Sequence, residues 1–242
     1  MNEREIKTLK DEVSKLIWYH TIDLGHGIVT PGIYDHRQYL EFYGIPDDLS
    51  GKSALDIGAA SGFFSFEMEK RGAEGTATDL PKWMDHDFGA LYLPDRPLDD
   101  LQNYLHKPFE LAAKILGSRL KKRHINIYDI SPKTVGMFDL VFCSSVLLHL
   151  TDPIKALHNI QRVTKEMAII ATGLLLDESS EPLAQFSGHK GGAAWWLPNK
   201  AGLEAMIQST GFKRWEWFSE FRLDYSDGKP GTMHGVVRAM NI

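Results

Sequence analysis

The sequence predicts an α/β fold, a mostly parallel sheet wound with helices and finished by an antiparallel hairpin. Three observations carry this. Residues 53–79 read as strand, glycine-rich turn, helix and strand, which is one βαβ unit. Strand-like apolar runs and runs of helical period keep alternating after it. Two late runs, 213–219 and 232–239, follow each other with no helical segment between them, as a hairpin at a sheet edge would.

Each element has its own signal. Ile6, Leu9, Val13, Leu16 and Ile17 recur at spacings of three and four among charges, a first helix. It gives way to TIDLGHGIVTPG, whose glycines and proline predict loop. Strand 53–57 is short and apolar, and GAASG follows it. Helix 63–71 ends at Gly72, where a left-handed cap belongs. Strand 73–78 closes at Asp79. Residues 80–97 hold Pro81, Gly89, Pro94 and Pro97 with Trp83, Phe88 and Tyr92. That is long for a connector and predicts a functional loop. A helix at 101–116 precedes a third strand at 125–130, stopped by Ser131-Pro132. FDLVFC, 138–143, is apolar on both faces and predicts a buried fourth strand. A helix at 153–163 starts with proline, where its missing N–H costs nothing. Strand 167–176 and helix 200–210 lead to the hairpin. The expected organisation is a single domain over 1–242: a helix and lid at 1–45, and a core at 46–242 with insertions at 81–100 and 177–198.

Composition narrows the class. The 242 residues carry a formal net charge of −5 and 24% charged residues. This argues against a chain built mainly to hold nucleic acid, so nucleic acid is a disfavoured partner. No apolar run reaches the roughly 18 residues of a membrane span, so no membrane partner is expected. MNEREIKTLKDEVSK lacks the apolar stretch of a secretory signal. The lone cysteine, Cys143, excludes an internal disulfide and a cysteine-rich zinc site. A reducing, cytoplasmic location fits. Ten histidines invite a metal, but none shows ligand spacing, so none is expected.

The turn DIGAASG, 56–62, carries the chemistry. Gly58 and Gly62 allow positive φ and close approach of a ligand to backbone. Asp79, closing the next strand, falls where a carboxylate meets ribose hydroxyls. A dinucleotide fingerprint read from Gly58 gives Gly58, Ala60 and Phe63, and fails at two of three glycines. Asp56 just before the turn offers nothing to a diphosphate but suits an ammonium group. The expected ligand is a cationic nucleoside without phosphate.

LDIGAASGFFS resembles the first motif of class I S-adenosylmethionine (SAM)-dependent methyltransferases. FDLVFCSSVLLHLTDP resembles that family's fourth strand and the segment after it, and HINIYDISP the end of its third. The Thr30-Pro31-Gly32 segment, ATDLPKW and WWLPNKAGLEAMIQSTGF resemble the subgroup around bacterial tRNA wobble-uridine methyltransferases. The resemblance covers about residues 50–240. It implies a Rossmann-like, seven-stranded sheet and SAM as cofactor. It places Gly58, Ala60 and Gly62 along the methionine moiety and Asp56 near the amine. Asp79 then takes both ribose hydroxyls, Leu80 and Ile130 sandwich the adenine, Asp129 accepts from its amine, and Ser144 lies near the sulfonium. Ala60 departs from the more usual glycine.

An acceptor hydroxyl or amine has a proton to lose. His149, in VLLHL, is the first candidate base, or else a brace for the pocket. His20 on the lid and His189 beside Lys190 are further candidates, each equally readable as a loop histidine. Tyr19, Trp83, Trp195 and Trp196 stand in expected loops, to close over a substrate or to pack the lid. Trp215 and Trp217 alternate with charges and read as packing. Lys121-Lys122-Arg123-His124 reads as a solvated turn before a strand, with phosphate contact the alternative. The leading function is methyl transfer from SAM to an oxygen or nitrogen of a small-molecule acceptor. The alternatives are a tRNA wobble-uridine O-methyltransferase and a non-catalytic nucleotide-binding scaffold. Carboxymethyl transfer is disfavoured, because no set of cations for a carboxylated donor is visible.

Overall fold

The computed structural model describes residues 2–90, 92–188 and 194–241. His189, a candidate base, lies outside the described residues. Helix α1 spans Glu3–Ser14, and a reciprocal capping box starts it: Glu5 N–H donates to Asn2 Oδ1 and Asn2 N–H to Glu5 Oε2. Two short strands follow, β1 Trp18–His20 and β2 Gly32–Tyr34, paired in parallel. The stretch expected to be loop is thus a small lid fastened from within. Thr30 Oγ donates to the His20 carbonyl, and Ile22 N–H donates to Thr30 Oγ. A 3-10 helix, His36–Tyr43, leads into the core.

The remaining elements are β3 Ser53–Ile57, α2 Phe63–Lys70, β4 Glu74–Asp79, α3 Leu98–Leu116, β5 Lys121–His124, β6 Phe138–Ser144, α4 Pro153–Val163, β7 Thr164–Gly173, β8 Ala184–Phe186, β9 Trp196–Pro198, α5 Lys200–Gln208, β10 Arg214–Leu223 and β11 Thr232–Met240. Seven strands form one sheet in the order β10-β11-β7-β6-β3-β4-β5. The five from β7 to β5 are mutually parallel, and β11 is antiparallel to both of its neighbours. Strand order reverses between β3 and β6. In such sheets the crevice beyond the strands' carboxyl ends is where ligands bind. β8 and β9 form a separate antiparallel pair within the 177–198 insertion.

Both faces of the sheet are buried, which is why its central strands read as unbroken apolar runs. On β6, Leu140 and Phe142 join one core cluster while Val141 and Cys143 join the other. On β7, Ile169 and Ala171 alternate with Ala168 and Ile170 in the same way. Helix α4 is capped by Asp152, whose Oδ1 accepts from Lys155 N–H, with Pro153 in its first position.

One strand is not where the sequence put it. The third parallel strand is the basic run Lys121–His124, and 125–130 contains instead a 3-10 turn, Ile127–Asp129. β5 pairs only with β4 and forms the sheet edge. Lys121 and Arg123 are tolerated there because they face water and discourage further pairing, while Lys122 points inward. The apolar residues after it, Ile127 and Ile130, are buried for packing and not as strand. Among the described residues no helix is long and apolar enough to cross a membrane.

The β1–β2 pairing leaves no room at Gly32, where an added Cβ would lie 2.0 Å from Thr21 N. Gly32→Ala is therefore expected to release the lid while the main sheet keeps its melting temperature within a few degrees. Limited proteolysis should then cut faster within residues 18–34, and an unchanged cutting rate would mean the pairing is not held in solution.

Candidate active site

The carboxyl ends of β3, β4, β5 and β6, with the lid and the 80–97 loop, enclose a cleft of about 540 Å³. Its floor is the turn after β3. Gly58 and Gly62 have φ of 74° and 95°, and Ala60 has φ of 46° despite its side chain. Left-handed backbone at a residue with a Cβ costs about 1–2 kcal/mol. The β4 carboxylate holds the turn in that shape. Asp79 Oδ2 accepts from Ala60 N–H at 2.9 Å and Asp79 Oδ1 from Leu80 N–H at 2.9 Å. Each oxygen keeps lone-pair capacity for a ligand hydroxyl.

Asp56 is buried beside it, and Ser65 Oγ donates to its Oδ2 at 2.5 Å. Burial, with the neighbouring Asp79 charge, pushes the Asp56 carboxyl up to about 7. Burial also raises Asp79, opposed first by the Lys122 charge and then by the two backbone N–H groups. Lys122 enters from β5 with its Nζ 4.4 Å from the Phe109 ring centroid, buried and without a hydrogen-bond acceptor. It sets a positive charge near both carboxylates without lining the cleft.

The lid meets the turn directly. Tyr19 N–H donates to Ser61 Oγ at 3.0 Å, and Phe63 N–H to His20 Nδ1 at 3.4 Å. His20 is 4% exposed, and burial holds its pKa down to about 3, so it is neutral with the proton on Nε2. His36 lies against it, ring centroids 5.1 Å apart, with Nδ1 bonded to Tyr43 Oη and Nε2 buried without a partner. The opposite wall is aromatic. Trp83 Nε1 donates to Tyr92 Oη, and the Phe88 and Tyr92 rings stack. Asp87 staples this wall to the segment after β6, accepting on Oδ2 from Tyr128 Oη, Thr151 N–H and Thr151 Oγ.

Ten of the residues singled out from sequence line the cleft: Tyr19, His20, Asp56, Gly58, Ala60, Asp79, Leu80, Trp83, Ser144 and His149. Five others that are described do not. Gly62 packs under α3, where a Cβ would meet the Phe109 and Phe66 rings at 2.7 Å. Ile130 is 1% exposed in the core on the other side of the sheet, and Asp129 is turned to solvent. The end of β5 comes six residues earlier than expected, so Ile125, Asn126 and Ile127 take that wall. Trp195 and Trp196 donate from their indole nitrogens to the carbonyls of Asp87 and Thr151. They brace the insertion against the cleft walls. The sequence reading missed His36, Asn126, Asp87 and Ser145, all in the lining. Among the described residues no group of three or more histidine, cysteine or acidic side chains is placed to hold a metal ion.

Residues 34–222 match a protein family described as Methyltransferase domain. The chain belongs to this family. It is a class I SAM-dependent methyltransferase, an enzyme whose cofactor is SAM. Among curated relatives, the methyltransferase is 26% identical over 171 residues to a tRNA U34 carboxymethyltransferase of Stutzerimonas stutzeri, covering 68% of this chain and 46% of that one. It is 29% identical over 119 residues to a ubiquinone biosynthesis O-methyltransferase of Psychrobacter arcticus, covering 49% and 37%. The chain thus spans less than half the length of these two relatives. Its fold is similar to the N-terminal domain of EvdMO1, solved in the presence of SAH and D-fucose, with a TM-score of 0.61 at 17% identity over 99% of this chain and 97% of that one.

The raised Asp56 pKa has a measurable consequence. The folded value, about 7, lies above the roughly 4 of an unfolded aspartate, so the folded protein holds an extra proton between those pH values. This group's contribution to stability is greatest at the acid end, falls as pH rises to about 7 and is flat above it. Asp56→Asn removes that slope. In ligand-free thermal melts from pH 5 to 8, the variant should gain on the wild type up to about pH 7 and then hold its lead. A lead that does not change with pH would show that Asp56 does not titrate there.

Proposed function

We propose that this methyltransferase moves the SAM methyl group to an oxygen or nitrogen of a small, uncharged or cationic acceptor. One observation carries the reading: the cleft is lined by Asp56, Asp79, Asp85, Asp87 and Asp95, and by no lysine or arginine among the described residues. A sulfonium donor suits such a site. A carboxylated donor or a run of tRNA phosphates needs cations to meet its charge. The curated relatives name both a tRNA modification and a quinone pathway, so identity does not choose between acceptors, and the chemistry of the cleft supports the small-molecule one.

In this reading the described elements act as one domain around one site. The backbone of Gly58 and Ala60 runs along the methionine end, Asp56 faces its ammonium group, and Asp79 accepts from the ribose hydroxyls. Leu80 and Asn126 flank the adenine. The residues fit the cofactor: among the described residues the two acids are buried without a cation in the cleft, and the His36 Nε2 has no partner. SAM supplies an activated methyl on a positively charged sulfur. The protein's task is to align the acceptor with it and to keep water out. Trp83, Phe88 and Tyr92 offer apolar faces to a planar or sugar-like acceptor, and the lid residues Tyr19 and His20 close the other side. His149, in the 3-10 turn Leu147–His149, stands at this end of the cleft as a candidate base.

Labelled SAM offered with phenols, sugars, amines and bulk tRNA tests the proposal. Turnover is expected on small acceptors and not on tRNA, even at low salt, where phosphate binding is strongest. Incorporation confined to tRNA would reverse the reading. Hydrogen bonds to an ionised acceptor are each worth about 1.5–3 kcal/mol. Calorimetry should therefore show Asp79→Asn binding S-adenosylhomocysteine about 10- to 150-fold more weakly, and unchanged affinity would remove Asp79 from the site.

A further inference from the structure

We infer that Ser145 and His234 form a proton relay that accepts the proton of a hydroxyl acceptor during methyl transfer. The inference rests on the small-molecule reading above and narrows it to oxygen acceptors. Ser145 follows the last residue of β6 and lines the cleft. Its φ is 55°, a conformation that residues bearing a side chain rarely adopt. Ser145 N–H, donating to the Ala171 carbonyl at 2.9 Å, helps to fix that backbone. The strained position brings Ser145 Oγ to 3.0 Å from His234 Nε2, across 89 residues of sequence.

The direction of the hydrogen bonds follows from chemistry. His234 Nδ1 lies 2.9 Å from the Thr232 carbonyl, which can only accept, so Nδ1 carries the proton. His234 is 4% exposed on β11, and burial disfavours its charged form. Nε2 is then a bare lone pair, and Ser145 Oγ–H must donate to it. Ser144 Oγ lies 3.5 Å away and can donate to one lone pair of Ser145 Oγ, which leaves the other to receive a proton. The titratable groups whose charge is felt at His234 are His149 and His36, and the Phe221 ring stacks on it. No carboxylate bonds to Nδ1, so the serine is not set up as a strong nucleophile. A proton conduit is what the pair can be.

The step balances. The acceptor oxygen forms a bond to the methyl carbon, and the sulfur–methyl bond breaks with its electron pair going to sulfur. The hydroxyl proton passes to Ser145 Oγ as the serine's own proton passes to His234 Nε2. The products are a methyl ether, a neutral thioether and one imidazolium. An amine acceptor reacts through a free lone pair and sheds its proton afterwards, so it does not need the relay. Ser145 is the residue that would touch the acceptor. His234 acts through it and is a positioning residue in that sense.

Two measurements test the relay. In ¹⁵N-labelled protein saturated with S-adenosylhomocysteine, ring nitrogen shifts should show His234 neutral and protonated on Nδ1 from about pH 6 to 9. A proton on Nε2, or a charged ring at pH 7, overturns the proposal without any acceptor being known. With hydroxyl acceptors, Ser145→Ala, Ser145→Gly and His234→Gln should each lower kcat about 100-fold or more, with the KM for SAM little changed. The glycine variant separates chemistry from backbone strain, because it relieves the strain and still lacks the hydroxyl. The loss should shrink for phenols acidic enough to ionise unaided. Full kcat in Ser145→Gly, or wild-type turnover of nitrogen acceptors only, overturns the relay. Turnover of tRNA alone would sink the small-molecule reading itself, a result distinct from either.

Discussion

Two carboxylates, Asp56 and Asp79, are buried side by side at the ends of adjacent parallel strands, and much of the rest follows from accommodating them. Neither has a salt-bridge partner within bonding distance among the described residues. Burial alone would neutralise both. The fold opposes this with backbone N–H groups at Asp79, the Ser65 hydroxyl at Asp56, and the Lys122 charge set beyond the cleft wall. What these leave unmet is met best by a cationic ligand. The same bonds shape the turn: Asp79 holds the Ala60 N–H at the residue that adopts left-handed backbone. Ligand electrostatics and turn geometry are therefore a single constraint.

How much of this the sequence reveals depends on distance along the chain. The β3–α2–β4 unit, its glycines and Asp79 are legible because they lie within one local motif. The buried strand β6 is legible because both its faces are apolar, and α4 because proline marks its start. The edge strand β5 is not legible: it is basic, and its charges describe exposure as well as a turn would. That single misplacement put the expected adenine wall at Asp129 and Ile130, which the structure puts in solvent and in the core, while Asn126 lines the cleft. Ser145 and His234 are joined only by tertiary folding. A serine after a strand and a histidine within one have no local mark that pairs them.

The aromatic residues divide in a way the sequence could not settle. Trp83 and Tyr19 face the cleft, whereas Trp195 and Trp196 donate to backbone carbonyls of the cleft walls. An indole has one donor and a large apolar body. Where the donor is committed to a wall carbonyl, the ring sets the position of that wall. Asp87 is committed likewise, with three donors on one oxygen. The negative character of the lining is thus partly structural at Asp87.

A cleft without cations and a set of buried neutral histidines are two sides of one design. His20, His36 and His234 are all held below their ordinary pKa, chiefly by burial. A neutral imidazole can take up a proton, and an imidazolium cannot. Methyl transfer from a sulfonium to a neutral hydroxyl, as proposed, leaves a surplus proton at the oxygen. Placing a lysine or arginine there would repel both the donor and that proton. In the proposed reading carboxylates hold the donor's charge, and a neutral imidazole reached through a serine hydroxyl gives the proton somewhere to go. The strain at Ser145 is accounted for on the same terms. β6 ends at the cleft, and the left-handed turn at Ser145 presents its hydroxyl to His234 of β11, beyond β7.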